Sequence, residues 1–380
     1  MIYKRKIENN IEKYLKSDVN KIFFMWGPRR SGKTTIIKKI GVELGLPVFN
    51  FDLMSDMEKF APDLATLKKV ASECPVVLID EVQNYPEATR ALKILFDEFK
   101  VKVIATGSSE LRRKATDFDS LSGRFVEHFC LPLSVEEIVD NTDVPAYEEK
   151  QFLHALSEKL QINGAYPEIY GLDSESEKID GLRNILDTYV LKDIIDIYDL
   201  RNAKLAKDIL TKIALQIGSE VSLREIASNL GANVATVSNY IEIFVKNYIL
   251  LPLPAFKTNL RRAVSARRKF YFLDLGLRNI LVRDFRDTNI RPDRGGLFEN
   301  FVMAEIYKKI QNHKLNYSLY FYREYGGKEI DFVLEDYKKK YLCLEAKLGG
   351  GGAKQVFPLE HKSETINREN YFDRLSGIGQ

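Results

Sequence analysis

The chain has 380 residues, 45% of them hydrophobic and 29% charged, and a formal net charge of +3. This is the balance of an ordinary globular protein with material for two to four domains, and it excludes a chain-wide basic field, so any nucleic-acid contact has to be local. The three cysteines lie far apart without a Cys-x-x-Cys, which suggests neither a zinc site nor a disulfide framework and fits a reducing cytoplasm. Met1–Glu8 has no apolar leader core, and no apolar run nears the roughly 18 residues of a membrane span, so no membrane partner is expected.

Residues 1–135 read as α/β. Apolar strands at Lys21–Trp26, Val48–Leu53, Val76–Asp80 and Val101–Thr106 alternate with helical segments, which predicts a mostly parallel sheet with helices on its faces. Directly after the first strand stands Gly27-Pro28-Arg29-Arg30-Ser31-Gly32-Lys33-Thr34, the G-x-x-x-x-G-K-[ST] pattern between a strand and a helix. Backbone N–H groups of such a loop cradle phosphates, a lysine at Lys33 reaches the β- and γ-phosphates, and the Thr34 hydroxyl ligates Mg²⁺. Gly27 and Gly32 permit backbone angles and a close approach that a side chain would block. The helix opening near Lys33 points its positive end at the anion, and Thr35 continues its first turn. The expected cofactors are ATP and Mg²⁺.

The strand Val76–Ile79 delivers Asp80 and Glu81 at its carboxyl end, a Walker B pattern. Asp80 is expected to hold Mg²⁺, directly or through water, and Glu81 to polarise the attacking water. The next strand ends in Gly107-Ser108-Ser109. There a small hydroxyl, Ser108 in particular, reads either as a γ-phosphate sensor or as a helix N-cap or turn. A positive charge beside the γ-phosphate could come from Arg124, in cis or across a subunit boundary, or from Arg112 or Arg113; a plain surface arginine is the alternative.

The succession GPRRSGKTT, LIDEVQ, IATGSSELRR and LSGRFVEHFCLPLSVEEI resembles bacterial and archaeal AAA-type ATPases of the origin-recognition-like and STAND-like branch. It is most similar to the group that carries a C-terminal domain of unknown function. The resemblance implies an arginine-finger or sensor role for Arg124, homo-oligomerisation, and a helical lid over residues 136–215. In that stretch Ser134–Glu137 reads as a capping box and Gln161–Glu168 interrupts the helices with Gly and Pro.

Residues 216–285 read as a winged helix. Ser222-Leu223-Arg224-Glu225 is a capping box, Leu223–Leu230 a short helix, Gly231–Asn233 a turn, and Val234 to about Tyr248 a second helix. Its early face would show Asn233, Thr236, Ser238 and Asn239, polar side chains of a size suited to groove contacts. From Lys257 to Lys269, six of thirteen residues are basic. Arg261, Arg262, Arg267 and Arg268 would form a wing tip that contacts DNA phosphates; a solvated basic loop on a protein-binding winged helix is the alternative.

Residues 286–380 predict a helix from Gly295, then strands at Leu319–Arg323, Lys328–Leu334 and Tyr341–Lys347. This order resembles the restriction-endonuclease-like core, whose motif is an acid, a spacer and (D/E)-x-K. The resemblance implies a second metal site built from Glu299, Asp331 and Glu345, with Lys347 activating water or stabilising the developing charge. An ion-paired surface strand is the alternative. After Lys347 the chain departs from that pattern: Gly349–Gly352 breaks it, and only Gln355–Phe357 suggests a further short strand, which leaves open whether the core is complete or cut short.

Taken together, the expectation is an ATP-hydrolysing AAA-type ATPase that binds DNA and acts in remodelling, repair or recombination. The alternatives are an ATP-gated, metal-dependent DNA nuclease and a nucleotide-dependent switch or scaffold that binds protein partners.

Overall fold

The computed structural model describes residues 3–19, 21–108, 121–193, 202–257, 268–324, 326–349, 352 and 354–379. The chain divides into two compact units, Met1–Pro132 and Leu133–Gln380.

The first unit is built on a five-stranded sheet of β1 (Ile22–Trp26), β2 (Val48–Asn50), β3 (Val76–Asp80), β4 (Lys102–Gly107) and β5 (Phe125–Phe129). Its strands pair in the order β2-β3-β4-β1-β5, all in parallel. β5 is an addition to the four strands that the sequence predicts. β1 is buried along its whole length, as an apolar run in a parallel sheet covered on both faces must be. Alternation divides it between two cores. Phe23 and Met25 pack with Ile36, Ile37 and Ile40 of helix α2 (Lys33–Leu44) and with Ile7, Ile11 and Tyr14 of helix α1 (Lys6–Lys16). Ile22, Phe24 and Trp26 face the opposite layer, with Leu67 and Val70 of α4 (Leu64–Glu73) and Ala88 and Leu92 of α5 (Ala88–Ile94). The short helix α3 (Met54–Glu58) follows β2.

The second unit begins with helices α6 (Val135–Asp140), α7 (Glu149–Asn163), α8 (Pro167–Tyr170), α9 (Glu175–Asn184) and α10 (Ala203–Leu215). Ser134 caps α6 with a reciprocal capping box to Glu137. Next come β6 (Glu220–Val221), α11 (Leu223–Leu230), α12 (Val234–Lys246), β7 (Leu250–Pro254) and β8 (Arg268–Phe272), whose strands pair antiparallel in the order β6-β8-β7. Pro252 and Pro254 are tolerated because β7 is an edge strand, where a missing N–H costs no ladder bond. Described residues from Tyr166 to Leu281 share one core: Ile185, Leu186 and Tyr189 pack in the same cluster as Ile226, Val237, Phe244 and Phe272. Helices α8 to α10 and the helix–sheet segment after them therefore make one packed body.

Helix α13 (Leu275–Val282) leads to the long α14 (Arg294–His313) and a four-stranded sheet of β9 (Tyr317–Arg323), β10 (Glu329–Asp336), β11 (Tyr341–Ala346) and β12 (His361–Ile366), closed by α15 (Tyr371–Ser376). β9, β10 and β11 pair antiparallel and β12 runs parallel to β11. The expected strand at Gln355–Phe357 is not one. Phe357 instead packs its ring against Phe256, Tyr322 and Tyr341, and the strand lies four residues later. Its sequence, His-Lys-Ser-Glu-Thr-Ile, is too polar to read as a strand by propensity; parallel pairing to β11 stabilises it instead. The chain thus continues past the glycine run through a further strand and helix.

Candidate functional site

β1, β3 and β4 are neighbours and parallel, so the segments that leave their carboxyl ends share one edge of the sheet. Trp26 lies opposite Gly107, and Ile79 opposite Ala105. The loop Gly27–Gly32, the pair Asp80–Glu81 and the end of β4 at Thr106–Ser108 are brought together there, where open α/β sheets bind ligands.

The loop's shape follows from its residues. A Cβ on Gly27 would sit 2.0 Å from the Cys130 carbonyl oxygen, so only glycine lets the loop leave the sheet this closely packed. Gly32 has φ +103° and caps α2 in a left-handed conformation, which only glycine adopts without strain. Lys33 is buried and folds back on its own loop, donating from Nζ to the carbonyls of Gly27 (3.0 Å) and Pro28 (2.9 Å). Burial pushes the Lys33 ammonium down, against the pull of Glu81, Cys130 and Asp80. Gly27, Pro28 and Ser31 are buried, Arg29 and Thr34 half-buried, and Arg30 and Thr35 exposed. At this edge of the sheet, among the described residues, two hydroxyls are buried without a hydrogen bond: Ser31 Oγ on the loop and Ser108 Oγ after β4. An unpaired buried hydroxyl costs about 1–3 kcal/mol, so both positions fit a bound ligand rich in acceptor oxygens.

The acidic pair is held by side chains that the sequence did not single out. Asp80 is buried, and the hydroxyl of Thr106 donates to it. The Glu81 backbone adopts φ +54°, an uncommon conformation for a side-chain-bearing residue, with its N–H on Thr106 Oγ1 at 3.3 Å. The amide nitrogen of Gln83 donates to the Glu81 carboxylate, while its oxygen accepts from the Ser108 N–H at 3.3 Å. Gln83 therefore ties Glu81 to the end of β4. Its only trace in the sequence is a polar residue three positions after Asp80.

Arg124 lies elsewhere. It precedes β5, its carbonyl accepts from Ile22 N at the amino end of β1, and its Nε donates to Asp97 at 2.8 Å. The loop follows the other end of β1, about 13 Å of strand away at ~3.3 Å per residue. The expectation of a cis-acting Arg124 is corrected: from this edge of the sheet it does not reach a phosphate on its own loop. Its rivals Arg112 and Arg113, and Ser109, lie outside the described residues.

In the second unit, Asn233 accepts from Ala235 N at 2.8 Å and caps α12, so its side chain is engaged in the cap and not displayed on the face. Thr236 and Ser238 are half-buried, and Asn239 and Arg268 are exposed. Arg261, Arg262 and Arg267 lie outside the described residues. Lys269, the last of the basic run, turns inward. It is 1% exposed and pairs with Glu299 of α14 at 2.9 Å and with Glu329 of β10, and Tyr271 also donates to Glu299.

The acids of the C-terminal segment group differently from the expectation. Glu299, Glu329 and Asp331 bring carboxylate oxygens within 4.8 Å of one another, and Glu345 is not among them. Glu345 is buried and taken up by Lys347 Nζ at 3.2 Å, the Lys354 N–H and Lys354 Nζ at 3.7 Å. Asp331 accepts from Ala346 N at 2.8 Å. Burial, with Glu299 beside it, raises Asp331 to about 7, and Lys269 opposes the shift. Glu329 was legible in principle, because alternation along a strand puts it on the face of Asp331.

Among the described residues no helix is long and apolar enough to cross a membrane. Residues 19–139 match the family described as AAA domain. Residues 155–289 and 294–367 match two domains of unknown function, DUF8612 and DUF4143. An uncharacterized protein of Methanocaldococcus jannaschii is 25% identical over 347 residues, covering 86% of this chain and 75% of its own. A second from that organism is 23% identical over 388 residues, covering 92% and 80%. An uncharacterized protein of Haemophilus influenzae is 22% identical over 345 residues, covering 86% and 82%. Among solved structures, the Walker-type ATPase PABY2304 of Pyrococcus abyssi superposes with a TM-score of 0.47 at 16% identity, over 74% of this chain and 96% of that one. The Orc1 protein of Aeropyrum pernix, solved in complex with DNA, gives 0.31 at 15% identity, over 75% and 93%. Residues 19–139, with the phosphate loop and the five-stranded parallel sheet, thus match the AAA domain family and form a P-loop AAA core, and the two domains of unknown function match residues 155–289 and 294–367.

Proposed function

We propose that the protein hydrolyses ATP and couples hydrolysis to DNA bound by its second unit, in remodelling, repair or recombination. The observation that carries the first half is the shared edge of the sheet: Lys33, the unpaired hydroxyls of Ser31 and Ser108, and the Asp80–Glu81 pair converge there. Lys33 would exchange its loop carbonyls for the β- and γ-phosphates. Thr34 and Asp80 would hold Mg²⁺, which when bound offsets charge on those phosphates. Glu81, tethered by Gln83, would take the proton of the attacking water, and Ser108, with its unpaired buried hydroxyl, would contact the γ-phosphate. Arg124 acts only on a neighbouring copy, if a homo-oligomer places it there. Gln83→Ala is expected to lower kcat about tenfold with ATP affinity unchanged, because it loosens the base without touching the phosphate cradle. Single-turnover rates beside equilibrium binding separate the two.

The DNA half rests on the α11–α12 pair and the basic run between β7 and β8, read as a winged helix with Arg261, Arg262, Arg267 and Arg268 on phosphates and Thr236 and Asn239 at base edges. Replacing the four arginines with alanine should lower duplex or branched-DNA affinity by more than tenfold at low salt and flatten the salt dependence. Unchanged affinity in a fluorescence-anisotropy titration sinks the wing. Wild-type ATPase rates over single-stranded, duplex and branched DNA complete the test. Slow hydrolysis indifferent to all of them favours the switch or scaffold reading.

The cluster of Glu299, Glu329 and Asp331 favours a second reading, a metal-dependent nuclease centre, with Glu345 and Lys347 beside it. Cleavage with Mn²⁺ that is lost in Asp331→Ala and Glu345→Ala supports it; equal background in all three removes it.

A further inference from the structure

Arg5 precedes α1 and lies upstream of residues 19–139, the segment matched as an AAA domain. It is 4% exposed. Its Nη1 donates to the Ser31 carbonyl at 2.8 Å and lies 3.7 Å from Cys130 Sγ, and its Nη2 donates to the Leu131 carbonyl. One planar guanidinium thus joins the phosphate loop to the chain that leaves β5, using the fork geometry that suits two fixed acceptors.

The acceptor on the loop decides what this does. A trans peptide is planar, and its C=O and N–H point in opposite directions; the described chain has no cis peptide. With the Ser31 carbonyl turned out to Arg5, the N–H of Gly32 is turned the other way, into the loop. A Cβ on Gly32 would stand 3.5 Å from Arg5 Nη1, so the guanidinium backs this peptide directly. Gly32, at φ +103°, has the freedom to rotate away if nothing holds it.

The support itself is rigid. Glu8, in the first turn of α1, accepts from Arg5 N at 2.7 Å and pairs with Lys39 of α2 at 2.6 Å. Ile7 and Ile11 pack α1 against Ile36 and Ile40 of that same helix. Arg5 is therefore anchored to the helix that the loop opens.

We propose that Arg5 is a positioning residue of the phosphate site: it holds the Ser31–Gly32 peptide so that the Gly32 N–H faces the phosphate chain of a bound nucleotide, and it adds a fixed positive charge behind the loop. This rests on the reading of the loop as a nucleotide site. A charge-assisted hydrogen bond that orients a phosphate donor translates to roughly 10- to 100-fold in affinity.

The test measures the Kd of ATP, ADP and tripolyphosphate, with the melting temperature, for the full chain and for Arg5→Ala and Arg5→Lys. Both variants should lose roughly 10- to 100-fold for all three ligands alike, because the defect is in the cradle and not in base recognition. Saturating ATP should raise their melting temperatures less than the wild type's at equal concentration. A lower melting temperature with wild-type Kd values would mean a purely structural arginine and overturn the proposal. If Arg5→Ala fails to fold, Arg5→Lys, which keeps the charge and loses the fork, decides in the same way. Absence of ATP binding in the wild type would instead overturn the reading of the site.

Discussion

Glu81→Gln should hydrolyse ATP roughly 10²- to 10⁴-fold more slowly than the wild type, the usual contribution of a positioned general base, while binding ATP as tightly. The separation follows from the geometry. Glu81 leaves the end of β3 and is held by Thr106 at its backbone N–H and by Gln83 at its carboxylate, whereas the proposed phosphate cradle is the loop with Lys33. Glutamine keeps the size and can still meet Gln83 through its carbonyl oxygen, so the left-handed turn at Glu81 has no reason to collapse. Lys33→Ala is the counterpart: it should lose nucleotide binding itself. Rates and affinities that fall together in Glu81→Gln would move the base to another residue.

Lys269→Met should destabilise the second unit by about 3–5 kcal/mol, the cost of removing one partner from a buried ion pair. Lys269 is 1% exposed and sits against Glu299 and Glu329. Burial acts to depress its ammonium, but the two carboxylates outweigh it and hold Lys269 above the ordinary lysine value. Without that cation three carboxyl groups within 4.8 Å remain, and their mutual repulsion is relieved only by protonation or by another cation. Thermal denaturation in EDTA should show the full loss for Lys269→Met. Millimolar Mn²⁺ should restore part of it, with little effect on the wild type, in which the lysine already stands among the acids. A variant as stable in EDTA as the wild type would show that Lys269 is not the counter-ion of this centre. The outcome bears on the nuclease reading as well: cleavage by the wild type would require the ammonium and a metal ion to share the same acids.

The phosphate loop was legible because its chemistry is local. Gly27, Gly32, Lys33 and Thr34 stand within eight residues, and strand-to-helix context completes the pattern. Asp80–Glu81 was legible because a buried parallel strand announces itself as an apolar run that ends in acids. Gln83 and Thr106 were not, because their roles exist only once β3 and β4 lie side by side and register Ile79 with Ala105. Arg124 shows the other limit. Its sequence neighbourhood suggests a finger in cis or in trans, and only the fold separates the two: β5 runs parallel to β1 with Phe125 opposite Ile22, so the residue before it emerges at the far edge of the sheet from its own loop. Likewise apolar content marks Gln355–Phe357, whose Phe357 packs rings, and not the polar β12 that pairs with β11.

By itself the amino-acid sequence determined the α/β class of the first unit, the phosphate loop with its acidic partner, and the helices after residue 133, since these depend on period, capping and short-range spacing. The tertiary structure decided which distant side chains meet: Arg5 behind Ser31, Gln83 between Glu81 and Ser108, Lys269 among Glu299 and Glu329. Each of these contacts joins segments whose separation along the chain carries no signal. Strand order, register and the burial of one charged group against another set them, and those quantities exist only in the folded chain.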